Sequence, residues 1–87
     1  MSEERYCLRG EYEEIKERLS GLYYDLKVKA QSAYQRLFEL SDIRVKTYPQ
    51  DIEGLFKLIN EVARIKGEIQ ALEERSEYLN RKLKEVR

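Results

Sequence analysis

The chain has 87 residues, of which 39% are charged and 41% hydrophobic, and its 17 basic and 17 acidic side chains give a formal net charge of zero. One proline and four glycines are typical of long helices with solvated faces, which argues against a sandwich or barrel and predicts an all-α fold. The apolar content and the zero net charge also argue against disorder. Residues 1–87 are expected to form a single domain, and a chain this short often needs oligomerisation to bury enough surface.

The residue types restrict the chemistry of the chain. Its single cysteine, Cys7, rules out a disulfide within one chain, and the absence of histidine leaves no Cys/His set for zinc and no Ser-His-Asp or Cys-His catalysis. The glycines form no phosphate-binding loop. The sequence therefore predicts no catalytic residue, no metal site, no cofactor and no enzyme.

The sequence also predicts where the protein works. No apolar run is long enough to span a bilayer, and the first five residues lack the layout of a signal peptide. We therefore expect a cytoplasmic protein without a membrane partner. Abundant Glu, Lys and Arg without Trp or His is a composition found in thermophilic proteins.

The first predicted helix covers about residues 3–40. Its apolar residues recur at steps of four and three, which places them on one seam of a helix. The seam consists of Leu8, Tyr12, Ile15, Leu19, Leu22, Leu26, Ala33 and Leu40, with polar Lys29 and Arg36 in the same register. Gly10 and the Ser20-Gly21 pair each weaken the helix by up to about 1 kcal/mol relative to alanine, so a bend near Gly21 is an alternative to a straight helix.

A loop is predicted at about residues 41–48, followed by a second helix at about residues 49–86. Pro49 suits the first helical position and disfavours helical geometry in the residue before it, which makes Thr47 or Tyr48 the cap. The second helix carries a nearly unbroken heptad seam, typical of coiled-coil packing. Its members are Leu55, Leu58, Val62, Ile65, Ile69, Leu72, Ser76, Leu79, Leu83 and Val86.

Two long helices joined by a short loop are expected to pack as an antiparallel, coiled-coil-like hairpin. A fold at about residues 44–45 places Ser76 near Tyr12, where a small side chain complements a large one. The same fold predicts ion pairs beside the seam. It places Arg36 near Glu53 and Lys29 near Asn60 and Glu61.

Each helix carries a second apolar stripe in the half of the hairpin next to the loop. The stripe comprises Tyr23, Ala30, Tyr34 and Leu37 on the first helix, with Tyr24 and Phe38 beside them, and Ile52, Phe56, Ile59 and Ala63 on the second. One hairpin cannot bury both stripes, and a second copy is the simplest cover. The sequence therefore predicts a homodimeric four-helix bundle. Its self-association interface consists of Tyr23, Tyr34, Leu37, Phe38, Ile52, Phe56 and Ile59.

The hairpin also brings basic residues from both termini together, with Tyr6 and Tyr78 among them. These residues are Arg5, Arg9, Arg81, Lys82, Lys84 and Arg87, and such a cluster can contact phosphates. Acidic residues occupy the same region, and basic residues near a helix C-terminus are expected from the helix dipole alone. Contact with nucleic acid is therefore an alternative to a purely structural role.

A stretch of the second helix resembles the first helix of the all-helical chorismate mutases. The resemblance lies in Asp51-Ile-Glu-Gly-Leu-Phe-Lys-Leu-Ile together with Lys66-Gly-Glu-Ile-Gln and covers under a quarter of the chain. It implies a small helical enzyme with two further helices and arginines that hold substrate carboxylates. Only about twenty residues follow here, in the same heptad, so the sequence departs from that pattern.

These observations predict a non-enzymatic interaction or scaffold module that associates with itself and bridges another protein. A nucleic-acid-associated accessory protein is the alternative, and a chorismate-mutase-like enzyme is the remote one. A hetero-complex, in which another protein covers the stripe, remains open beside the homodimer.

Overall fold

The computed structural model describes residues 3–85, which form two helices. Helix α1 spans Glu3–Leu40 and helix α2 spans Pro49–Glu85. They pack against each other as a hairpin with extents of 65 × 15 × 14 Å, which confirms the predicted all-helical hairpin. Val86 and Arg87, which were predicted to belong to the seam and to the basic cluster, lie outside the described residues. Helix α1 continues through Ser20 and Gly21 without a break.

The turn between the helices is built by local hydrogen bonds. The backbone N–H of Val45 donates to the carbonyl of Asp42 at 3.1 Å. The Asp42 carboxylate accepts from the backbone N–H of Arg44 at 3.0 Å and from the guanidinium of Arg44 at 3.1 Å. Aspartate is favoured at the first position of such a turn because its side chain can bond the backbone two residues on. These bonds to Arg44 lower the pKa of the Asp42 carboxyl below its ordinary value.

Helix α2 begins with Tyr48 as its cap residue. The carbonyl of Tyr48 accepts from the backbone N–H of Asp51 at 2.9 Å, and the Asp51 carboxylate accepts in return from the backbone N–H of Tyr48, also at 2.9 Å. This is the reciprocal half of a capping box, in which an acidic residue at the third helical position satisfies the cap's own donor. Of the two predicted cap residues, the structure therefore selects Tyr48 over Thr47.

The core lies on the predicted seam. Its buried cluster consists of Ile15, Leu19, Ile65, Ile69 and Leu79, with Leu8, Tyr12, Leu22, Leu26 and Leu72 packed around it. Leu79 is fully buried. Regular spacing of three and four residues keeps all of these side chains on the faces that the two helices turn toward each other.

Burial decreases from this core toward the loop. Helix α1 has no buried residue beyond Leu19, and α2 has only Leu55 before Ile65. The last seam residue of α1, Leu40, is exposed. Two helices alone therefore cover the seam less completely in the half of the hairpin that adjoins the loop.

Ion pairs line one side of the seam. Arg75 bonds Glu11 at 3.0 Å, Arg18 pairs with Glu68, and Lys29 Nζ lies 2.9 Å from a Glu61 carboxylate oxygen. The last pair confirms the predicted position of Lys29 and lowers the pKa of Glu61. These pairs are partly exposed to solvent, so they contribute more to the register of the helices than to stability.

The side chain of Arg36 lies at Gly54, the residue that follows its predicted neighbour Glu53. Its Nη1 atom is 2.9 Å from the place where a Cβ on Gly54 would stand. The guanidinium thus crosses α2 at Gly54, where the missing side chain leaves room. Between residues 3 and 85, no salt bridge joins Arg36 to Glu53.

Candidate interaction surface

The side of the hairpin opposite the ion pairs is apolar near the loop. On α1, the residues that directly follow the seam positions Leu22, Lys29 and Arg36 are Tyr23, Ala30 and Leu37. Ala30, Tyr34 and Leu37 follow one another at steps of four and three, as the residues of a second helical seam do. We define the apolar stripe as Tyr23, Ala30, Tyr34, Leu37, Ile52, Phe56, Ile59 and Ala63. It is formed by both helices and lies on a single side of the hairpin.

The large side chains of this stripe are exposed. Tyr34 is 71% exposed and Phe56 is 61% exposed, and every other residue of the predicted self-association interface is also exposed. Those other residues are Tyr23, Leu37, Phe38, Ile52 and Ile59. The hairpin by itself therefore leaves uncovered the surface that the sequence assigned to a second copy.

Two further aromatic residues stand apart from the stripe. Tyr24 and Phe38 share one heptad position on α1, one step farther from the seam than Tyr34. Both are exposed. Of these two, only Phe38 was predicted to belong to the interface, and its heptad position places it beside the stripe and not within it.

Tyr23 marks the end of the apolar stripe. Its hydroxyl donates a hydrogen bond to a carboxylate oxygen of Glu73 on α2. This bond, with smaller effects of burial and of the negative charge, raises the pKa of Tyr23 above its ordinary value. Beyond this pair, toward the termini, the same side of the hairpin carries charged residues such as Lys16.

The sequence interpretation overlooked the tip of the loop. Ile43 is fully exposed there, and Val45 and Tyr48 beside it are also exposed. The signal available was a β-branched apolar residue between Asp42 and Arg44, which the turn holds together. Because Ile43 follows the first residue of a tight turn, its side chain projects away from both helices.

At the opposite end of the hairpin, the basic cluster is interleaved with acids. Arg9 pairs with Glu13 at 3.5 Å, and Lys82 pairs with Glu85 at 3.5 Å. The Tyr78 ring lies between Arg75 at 5.0 Å and Lys82 at 5.7 Å from its centroid. Arg81 and Lys84 are exposed, Arg5 is half-buried, and Arg87 lies outside the described residues. Several of these cations thus have partners within the chain.

Within residues 3–85 the structure holds no group of three acidic or cysteine side chains that could bind a metal ion, and no helix that could cross a membrane. Cys7 is a free, exposed thiol. Helix α2 continues unbroken to Glu85. The described part of the chain therefore lacks the two further helices that the resemblance to chorismate mutases implies.

Comparisons of the chain with protein-family models, with curated proteins and with solved structures find no match. The surface of the hairpin itself is therefore what indicates a function.

Proposed function

We propose that this chain is a non-enzymatic interaction module, which pairs with a second copy through the apolar stripe and presents the resulting four-helix bundle to a partner protein. The observation that carries the proposal is the exposure of the stripe beside the least buried part of the seam. A second hairpin laid on the stripe covers the exposed side chains of the stripe. Nothing about the stripe requires a ligand of another kind.

The size of the stripe supports a protein partner. The exposed fractions of its side chains correspond to an area on the order of 700 Å² per chain, since large aromatic and aliphatic residues each offer about 150–250 Å². The largest apolar patch on an ordinary monomer is about 300–600 Å². A standard protein interface buries about 800 Å² on each partner. The stripe is therefore larger than an incidental patch and close to a full interface.

The composition of the stripe supports a second copy as the occupant. The residues of the stripe are uncharged, and the chain as a whole has zero net charge, so two copies meet without a large repulsive field. A two-fold axis lets the same surface serve on both chains. The exposed loop and the charged arms toward the termini then remain available to a partner protein.

A charge placed in the stripe tests this proposal. We expect Phe56→Glu to give a monomer, because a carboxylate at the centre of an apolar interface loses its water without gaining a partner. Tyr24→Glu is the matched control. It places the same charge on an exposed aromatic residue outside the stripe and is expected to leave the dimer intact.

The molar mass of both variants, measured by light scattering at micromolar concentration, decides the result. If Phe56→Glu and the parent chain have the same mass, the proposal is wrong. A parent chain that is already monomeric contradicts the homodimer and favours a hetero-complex, whose second protein is then sought by affinity capture and mass spectrometry.

A further inference from the structure

We propose that the two hairpins of the dimer lie with their loops at the same end, so that α1 of each chain packs against α2 of its partner. This inference rests on the proposed self-association through the apolar stripe. It adds the register and direction of the assembly, and thereby predicts which surfaces the bundle leaves for other molecules.

Only two arrangements keep the helices aligned when the apolar stripe meets its own copy. If the two-fold axis runs along the helices, both loops lie at one end and α1 faces the partner's α2. If the axis runs across them, the loops lie at opposite ends, and each helix faces its own copy. Both arrangements are closed and use the same patch on each chain, so the pattern of residues along the stripe must distinguish them.

The ion pair between Lys29 and Glu61 sets the level of α1 against α2. Tyr34 lies five residues after Lys29 and Phe56 lies five residues before Glu61, so these two aromatic residues stand at the same distance from the loop. Leu37 lies eight residues after Lys29 and Ile52 lies nine residues before Glu61, so these two stand within one residue of the same level. Within one hairpin, the two helices therefore carry their large apolar residues at matching levels along the hairpin.

With both loops at one end, this matching carries over to the interface. Tyr34 meets the partner's Phe56, Leu37 meets the partner's Ile52, and the small Ala30 meets the partner's Ile59. An aromatic pair and a small residue opposite a large one are both favourable packing arrangements. Apolar residues then oppose apolar residues at these three levels.

Charges farther along the same side also match in this arrangement. Lys16 lies thirteen residues before Lys29 and Glu73 lies twelve residues after Glu61, so these two stand within one residue of the same level. With both loops at one end, Lys16 meets the partner's Glu73, and the two-fold axis repeats this pair of opposite charges. Opposite charges at matching positions favour one register over others.

The alternative arrangement loses the pairs of Tyr34 with Phe56 and of Lys16 with Glu73. Full overlap of the stripes with the loops at opposite ends centres α1 on Ala30, and it brings the ammonium of Lys66 against the partner's Ile52. That contact offers the ammonium no partner, whereas with both loops at one end Lys66 stands at the level of the partner's Tyr23, whose ring face can hold a cation. The charged ends of the two hairpins then point in opposite directions, and Lys16 has no counterpart.

The arrangement has a consequence for binding. Both exposed Ile43 side chains lie at one end of the bundle, and the start of each α1 at Glu3 and the end of each α2 at Glu85 lie at the other. The bundle thus presents a doubled apolar tip at one end and a doubled set of charged arms at the other.

Disulfide cross-linking distinguishes the two arrangements. The double variant Lys27→Cys/Ala63→Cys is made in a Cys7→Ser background. Residues 27 and 63 are exposed and stand at one level, on the side of the hairpin that carries the stripe. One lies on α1 and the other on α2, each at an outer position of its helix. With both loops at one end, each thiol meets the opposite thiol of the partner, and mild oxidation gives a covalent dimer. Ala30→Cys alone cross-links only when the loops lie at opposite ends, because residue 30 then sits on the two-fold axis.

We expect a covalent dimer from the double variant and none from Ala30→Cys. The reverse result overturns the arrangement while leaving the dimer in place, and a dimer by light scattering that yields neither cross-link overturns it as well. A monomeric Cys7→Ser parent overturns the proposed function itself. Circular dichroism of each variant confirms that the helices have formed.

Discussion

Tyr23 of α1 donates its hydroxyl hydrogen to a carboxylate oxygen of Glu73 on α2, and this bond lies where the apolar stripe gives way to charged residues. The ring of Tyr23 belongs to the stripe, whereas its hydroxyl belongs to the polar half. A tyrosine suits such a boundary because it combines an apolar body with a polar tip. The bond also ties the end of the stripe to the register of the hairpin.

The Tyr23 bond predicts a pH effect. Because the folded state raises the pKa of Tyr23 above its ordinary value of 10.0, this bond contributes stability that is fully present below pH 10 and is lost as the pH rises through the folded value. Glu73→Gln should lower the pKa of Tyr23. Ultraviolet titration of tyrosinate in the parent and in Tyr23→Phe identifies the signal of Tyr23 by difference. If the pKa of that tyrosine is the same in Glu73→Gln as in the parent, the prediction is wrong.

The pair between Lys29 and Glu61 predicts an effect in acid. Lys29 lowers the pKa of Glu61 below its ordinary value of 4.5, so the stabilisation by this carboxylate is complete above pH 4.5 and is lost as the pH falls through the lowered value. Glu61→Gln should therefore lose stability less steeply than the parent below pH 4.5. Urea unfolding at a series of pH values measures this, and parallel curves for the two proteins are the contrary result.

Three helical glycines offer a stability gain. A Cβ added at Gly10, Gly21 or Gly67 meets nothing within 4 Å, so each substitution by alanine should stabilise the hairpin by about 0.5–1 kcal/mol. Gly54→Ala is the matched comparison, because its Cβ would stand 2.9 Å from Arg36 Nη1. Its gain should be smaller, since the arginine must move. Thermal unfolding ranks the four variants, and an equal gain at Gly54 contradicts the described position of Arg36.

The distribution of burial predicts unequal costs of truncation along the seam. Leu79→Ala should cost about 2–5 kcal/mol, because a fully buried leucine leaves a cavity. Leu40→Ala, near the loop, should cost less, because that side chain is exposed in the hairpin. Denaturant unfolding at fixed protein concentration compares the two. A larger loss for Leu40→Ala shows that burial does not decrease toward the loop.

The mixed charge of the terminal end predicts weak contact with nucleic acid. Lys82 pairs with Glu85 and Arg9 pairs with Glu13, so acidic side chains of the chain itself compete with phosphates for these cations. We expect no gel shift of double-stranded DNA or RNA at physiological salt. A salt-dependent shift that is abolished by Arg81→Ala with Lys82→Ala supports the nucleic-acid alternative instead.

Sequence periodicity was sufficient for the hairpin because the same spacing that defines the seam also determines which residues can be buried. Ile15, Leu19, Ile65, Ile69 and Leu79 all belong to the predicted seams. Pro49 marks the start of α2 for a local steric reason that needs no tertiary information. Lys29 and Glu61 were found because a short loop fixes the level of one helix against the other.

Other features could not be read from the sequence. The choice of Tyr48 over Thr47 as the cap depends on the reach of the Asp51 carboxylate, and Arg36 lies over Gly54 because a long flexible side chain follows available space. The stripe could be predicted as excess apolar surface. The separation of Phe38 from the stripe required the heptad positions on both helices of the folded hairpin.

The central claim is that the apolar stripe joins two copies of this chain. The molar mass of the unmodified protein at micromolar concentration, measured by light scattering on the eluting peak, tests it most directly. We predict twice the chain mass of 10.5 kDa. A mass of one chain, unchanged across the concentration range, contradicts the claim.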